Sequence, residues 1–190
     1  MTFDKAFDLV IGAEGLLSID PRDNGNWTGG RQNSGELMGT KYGISASTYG
    51  LALKSAGKTI KDLTLEDAKE IYKRDFWDIL RCDELPEPCR YPLFSCGVNC
   101  GIKRSVRFFQ QALGVIVDGI MGGATIKAAN KANIEEVLDE FFVAWGDYYD
   151  KIVENNPTLS AYINGWHNRI KEVKRITMKE YFSCPSSYSD

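Results

Sequence analysis

Ile134-Glu135-Glu136-Val137-Leu138-Asp139-Glu140-Phe141-Phe142-Val143-Ala144-Trp145 sets the fold class. Ile134, Val137, Leu138, Phe141, Phe142 and Trp145 recur at steps of three and four, which gathers side chains on one face of an α-helix. Leu159, Ile163, Trp166, Ile170 and Val173 repeat the pattern downstream. Upstream, Phe3, Phe7 and Val10, with Ala6 and Ala13 beside them, predict a short amphipathic helix over Phe3 to Glu14, stopped by Gly15. Thr64-Leu65-Glu66-Asp67 predicts another start, because Thr64 can cap and Asp67 can close a capping box. Leu65, Ala68, Tyr72, Phe76 and Ile79 then mark its face. Cys96 to Leu113 predicts one further helix. Val115-Ile116-Val117 suits a strand but is too short to define a sheet, and nothing signals a βαβ unit or a hairpin series. The chain therefore reads as mainly α, with a very small β element at most, near the long polar loop that follows Gly15.

The 190 residues are 43% hydrophobic, enough for one sizeable core or two small modules. A net charge of −3 argues against nucleic acid as a partner. No block of Lys or Arg is long enough to serve as a landing patch for a polyanion. No apolar run approaches the roughly 18 residues of a membrane span. Asp4 and Asp8 interrupt any signal-peptide core at the start. Pro86, Pro88 and Pro92 predict a connector over Asp83 to Pro92, hence one module over 1–92, a second over 93–185 and a frayed tail over 186–190. The five cysteines, Cys82, Cys89, Cys96, Cys100 and Cys184, cannot all pair within one chain. The gap between Cys96 and Cys100 suits a zinc ligand pair, but there is no second pair and His167 is the one histidine. Reduced, buried thiols and no metal or organic cofactor are expected.

Glu14 is the most informative residue. It lies seven positions after Phe7 and four after Val10, so a continuous helix would project it from the apolar face. Burial and the helix C-terminus both disfavour its charge and push its pKa upward. A carboxylic acid protonated near neutral pH is what protonation of a glycosidic oxygen requires. A solvated glutamate at a helix end is the plain alternative. Asp20-Pro21 and Asp23-Asn24-Gly25 are ordinary turn chemistry.

The run from Glu14-Gly15-Leu16-Leu17 through Asp20-Pro21-Arg22-Asp23-Asn24-Gly25 to Thr40-Lys41-Tyr42-Gly43-Ile44-Ser45 resembles glycoside hydrolase family 108. These are lysozyme-like muramidases of phage endolysins and their bacterial relatives. The resemblance implies a lysozyme-like helical fold, Glu14 as the catalytic acid, and cleavage of the β-1,4 bond between N-acetylmuramic acid and N-acetylglucosamine. Leu16 and Leu17 stand where the family motif has Gly and Tyr. By the spacing of phage lysozymes, Asp23 and a threonine would hold the attacking water, which suits inversion. Thr28 and Thr40 both compete for that place, and Thr40 sits in the better-matched segment, with Gly29 to Gly39 as an insertion. Thr28, Tyr42, Asn99 and Trp77 are the candidate substrate contacts, although core packing also accounts for Trp77.

Phe94 to Gly101, Gln110-Gln111-Ala112-Leu113-Gly114 and Val117-Asp118-Gly119-Ile120-Met121-Gly122-Gly123-Ala124-Thr125 resemble the peptidoglycan-binding module that follows this catalytic module. Gly119 and Gly122 predict a tight turn, and Thr125 a cap for the next helix. Lys103, Arg104, Arg107 and Lys127 face Asp118 alone over 96–130, either a patch for an acidic wall polymer or a solvated helix face. Trp166-His167-Asn168-Arg169 resembles a Gly-Trp-x-x-Arg element, with Trp166 expected in the core and His167 hydrogen-bonded or at the surface. The expected protein is a monomeric peptidoglycan hydrolase, made in the cytoplasm and acting on the wall after release. A lytic transglycosylase using the same Glu, a non-catalytic wall-binding or secretion-assisting protein, and a helical interaction protein are the alternatives.

Overall fold

The computed structural model describes residues 1–12 and 17–182; Glu14, with residues 13, 15 and 16, and Cys184, with the rest of 183–190, lie outside them. Two compact units emerge, one of Phe3–Arg74 and one of Asp75–Asp190 with Met1–Thr2. The division falls between Arg74 and Asp75, not after Pro92. The proline-rich stretch instead opens a helix, because a proline in the first turn gives up an N–H that has no helical acceptor anyway.

In the unit of Phe3–Arg74, α1 spans Phe3–Ile11. Gly12, at φ 59°, closes it by donating its N–H to the Asp8 carbonyl. The helix thus ends before the expected stop at Gly15, which with Glu14 lies outside the described residues. Phe7 is buried and meets the Tyr72 ring edge-on, with centroids 5.5 Å apart. β1 (Thr40–Lys41) and β2 (Ile44–Ser45) pair antiparallel, Thr40 opposite Ser45. Tyr42 and Gly43 join them with φ of 51° and 73°, the twist a two-residue hairpin favours. A Cβ on Gly43 would run into the Tyr72 hydroxyl, which donates to the Tyr42 carbonyl. This hairpin is the small β element the sequence predicts. A π-helical turn, Ala46–Gly50, leads into α2 (Leu51–Ser55). α3 (Leu65–Tyr72) starts on the expected capping box: Thr64 Oγ1 accepts from Asp67 N, and the Asp67 carboxylate accepts from Thr64 N.

A second π-helical turn covers Lys73–Trp77. Its longer turn shifts the helical phase, so Trp77 and Leu80 are buried where the α-period predicts Phe76 and Ile79. Ile79 is 53% exposed.

In the second unit, α4 (Glu87–Cys100) starts on Pro86 and carries Pro88 in its first turn. Pro92 sits inside and forfeits one backbone hydrogen bond, yet nine residues of α4 are buried and hold the helix together. The helix predicted over Cys96–Leu113 is two helices. Gly101, at φ 87° and ψ 143°, breaks it, and α5 (Ile102–Ala112) follows. α6 (Gly123–Ala129), α7 (Ile134–Asn155) and α8 (Ile163–Tyr181) complete the unit. The opening stretch supplies its core: Phe141 and Trp145 are fully buried, and Phe141 meets Phe109 of α5 edge-on at 6.3 Å. Val115–Val117 form no strand.

Gln110, itself 1% exposed, fastens the connection between α5 and α6. Its Oε1 accepts from Gly119 N at 2.8 Å. Its Nε2 donates to Asp118 Oδ1, the Ile120 carbonyl and Thr125 Oγ1 at 2.7 to 3.1 Å. Thr125 therefore caps nothing; Gly122 holds the N-cap position, with an ordinary φ of −92°.

Cys82, Cys89, Cys96 and Cys100 are buried thiols, and burial pushes Cys89 up to about 12. Cys100 Sγ donates to the Tyr149 hydroxyl. His167 Nε2 lies 2.8 Å from Asp150 Oδ1, and Trp166 stacks on Tyr149 at 4.9 Å. Phe141→Ala should destabilise this unit by about 3–5 kcal/mol, read from urea denaturation, because it empties a site ringed by aromatic side chains.

Candidate active site

The segment from Leu17 to Ser45 has few apolar anchors, yet it is closely knit. At its centre is Asn26, fully buried. Its Nδ2 donates to the Asp20 carbonyl at 3.0 Å and reaches Ser18 Oγ at 3.4 Å. Its Oδ1 accepts from Thr40 Oγ1 at 2.7 Å. Its carbonyl accepts from both Met38 N and Gly39 N, and its N–H donates to the Asp23 carbonyl. Ser18 and Thr40 exchange both backbone hydrogen bonds at 2.8 Å. One amide side chain thus joins residues 18, 20 and 40.

Asp23 caps the 3₁₀ turn Asn24–Asn26, its Oδ1 accepting from Gly25 N at 2.8 Å. The residue is exposed, so the rest of the carboxylate is open to water. Asp20 holds Arg22 through both carboxylate oxygens, at 3.0 and 2.8 Å. The Arg22 guanidinium, helped by its backbone N–H, lowers the Asp20 carboxyl to about 2. Both aspartates therefore do turn work, and Asp23 also presents a solvated carboxylate.

Of the two threonines, Thr40 is the one joined to Asn26. Thr28 sits at the base of the excursion over 29–35. There its Oγ1 accepts from Glu36 N and its N–H donates to the Glu36 carbonyl, both at 2.9 Å. Trp27 and Leu37 form the bridge beside it. Tyr42 occupies the hairpin turn, half-buried, with Lys41 Nζ 5.3 Å from its ring centroid. Asn99 is exposed on α4 and donates to the Ser95 carbonyl one turn back. Trp77 is fully buried, edge-on to Phe94 at 5.6 Å, so it offers no face to a sugar; the expected contact is corrected to a core role. Glu14 lies outside the described residues. Asn26 is the residue the sequence does not single out: nothing in its neighbourhood sets it apart from Asn24 or Asn33. Among the described residues, no group of His, Cys, Asp or Glu is placed to hold a metal ion.

A family model described as Glycosyl hydrolase 108 matches residues 7–101, half the chain, and the chain belongs to that family. A second, described as Predicted Peptidoglycan domain, matches residues 104–171. The two matches meet at the break between α4 and α5. No curated protein matches. Among solved structures, that of Brucella abortus SagA is similar, with a TM-score of 0.74 and 24% identity over 96% of this chain and 97% of that one. This likeness establishes a shared mainly α fold. The chain is a lysozyme-like glycoside hydrolase acting on peptidoglycan.

Replacing Asn26 with Leu should destabilise the unit of Phe3–Arg74 by about 1–3 kcal/mol, because it strands the Thr40 hydroxyl and the Asp20 carbonyl. Hydrogen exchange at Ser18, Met38, Gly39 and Thr40 should quicken together, and unchanged exchange there would mean that the loop is held by other contacts. Asp20 should titrate near pH 2 in the folded protein, against about 3.9 when unfolded. Its depressed pKa contributes stability that is present above about pH 4 and lost as pH falls toward 2. Carboxyl carbon shifts in Arg22→Gln should move its midpoint back toward the ordinary range.

Proposed function

We propose that the enzyme is an N-acetylmuramidase. It hydrolyses the β-1,4 bond between N-acetylmuramic acid and N-acetylglucosamine, with Glu14 as general acid. The reading is carried by the family match, which takes in the whole run from Glu14 to Ser45. Glu14 donates a proton to the departing glycosidic oxygen while water attacks the anomeric carbon from the opposite face. Thr40 and Asp23 hold that water. Support comes from the hydrogen bond of Thr40 Oγ1 to Asn26 Oδ1, which commits the hydroxyl proton and leaves the oxygen lone pairs to accept from water. The exposed Asp23 carboxylate then takes the proton as the water adds. Attack from the opposite face would invert the anomeric centre, and lysis of intact cells, as by a phage endolysin, is the expected consequence of the activity.

Glu14→Gln should leave the circular dichroism spectrum unchanged and release no muropeptide from purified sacculi. Lysis at the wild-type rate by that variant would refute the assignment. Mass spectrometry of the wild-type digest should find reducing N-acetylmuramic acid ends; 1,6-anhydro ends would identify a lytic transglycosylase instead. Thr40→Val should lower kcat by roughly 10²–10⁴-fold if it positions the water, a range typical of lost acid–base assistance.

A further inference from the structure

The connection between α5 and α6 exposes an unusual set of side chains. Ile116 is 84% exposed, Ile120 65% and Val117 47%. They are not the loose tip of a flexible loop. Gln110, buried beneath, bonds Asp118, Gly119 and Ile120, so the backbone is anchored and the aliphatic groups are held outward.

Beside them stand three exposed cations of α5, Lys103, Arg104 and Arg107, at positions that share a helix face. Close packing makes the two sets one surface. A Cβ on Gly119 would lie 2.7 Å from Lys103 Cγ and 3.3 Å from Arg107 Cγ, so the loop rests on the stems of both side chains. Gly119 needs its φ of 80° to do so. Lys103, Arg104 and Arg107, with Gly101 and Ile102, also line a cleft of about 300 Å3. Asp118 is the acidic group nearby. Gln110, the Ile120 N–H and, more weakly, Arg107 hold its carboxyl below the usual range, so its charge is already engaged.

We propose that this surface docks the protein peripherally on an anionic lipid bilayer. Ile116, Val117 and Ile120 enter the boundary between headgroups and acyl chains, while Lys103 and Arg107 meet lipid phosphates over the cleft. An acidic wall polymer would account for the cations and leave three outward-held aliphatic side chains without purpose. A bilayer takes both, since interfacial binding combines buried apolar area with attraction to negative headgroups. The net charge of −3 lies against the rest of the chain, so an anionic surface favours this face. Among the described residues, no helix is long and apolar enough to cross a membrane.

The test is co-sedimentation of the full chain with vesicles of phosphatidylcholine, alone or with one third phosphatidylglycerol. Binding should require phosphatidylglycerol and weaken as salt rises. The pair Ile116→Ser, Ile120→Ser should lower partitioning about tenfold or more, on the order expected for loss of two inserted side chains. Lys103→Glu with Arg107→Glu should abolish it. Ile116→Trp, which keeps an apolar side chain, should show blue-shifted fluorescence quenched by brominated acyl chains. Thermal melts confirm that each variant is folded. Three outcomes would overturn the proposal: no binding to phosphatidylglycerol vesicles; binding that the isoleucine pair does not change, which is charge attraction alone; or a dimer in sedimentation velocity that the isoleucine pair dissolves, with no lipid binding.

Discussion

The hydrogen bonds of the buried Asn26 side chain are the constraint on which the candidate site depends. The segment from Leu17 to Met38 has too few apolar groups to order itself by burial, and ordering each residue costs about 1–2 kcal/mol of backbone entropy. A fully buried amide solves this by satisfying several partners at once: it donates toward Ser18 and Asp20 and accepts from Thr40. Its backbone carbonyl adds Met38 and Gly39. An aspartate there could not donate to the Asp20 carbonyl, and a leucine would strand both that carbonyl and the Thr40 hydroxyl. Asparagine is the small residue whose side chain offers a donor and an acceptor diverging within one plane.

This arrangement makes Thr40 different from Thr28. Thr28 accepts a backbone hydrogen bond at the base of an excursion, so its oxygen serves the loop. Thr40 donates inward to Asn26, and its backbone is locked to Ser18 from both sides. A hydroxyl with a committed proton keeps its lone pairs free to accept. The two hydroxyls therefore differ in what they bond: one accepts from a backbone N–H, the other donates to a buried amide.

The helices are legible in the sequence wherever one period governs them. The Ile134–Trp145 stripe and the Thr64 capping box both appear as read. Legibility fails where a local device changes the period. The π-helical turn at Lys73–Trp77 moves Trp77 into the core, and no residue type announces such a turn. Gly101 breaks a run whose apolar spacing continues across it, because helical periodicity tolerates a glycine on paper. Pro88 and Pro92 look like punctuation, but one falls in a first turn and the other in a helix buried on nearly every side. Asp23 and Thr40, proposed to hold the water, are visible through their motifs. Asn26 is not, because burial of a polar side chain depends on chain closure fourteen residues away.

The second module carries a related lesson about motifs. Asp118, Gly119 and Thr125 are the distinctive positions of the Val117–Thr125 pattern, and one buried glutamine binds all three. The pattern therefore encodes an internal hydrogen-bonded turn, and its side-chain polarity is spent within the fold. Any ligand must be met by what the turn presents, not by what defines it. The presented groups are aliphatic at Ile116, Val117 and Ile120, and cationic on the adjoining helix. Gln110 bonds the Gly119 N–H and the Ile120 carbonyl, and that anchoring is what turns an exposed loop into a shaped surface.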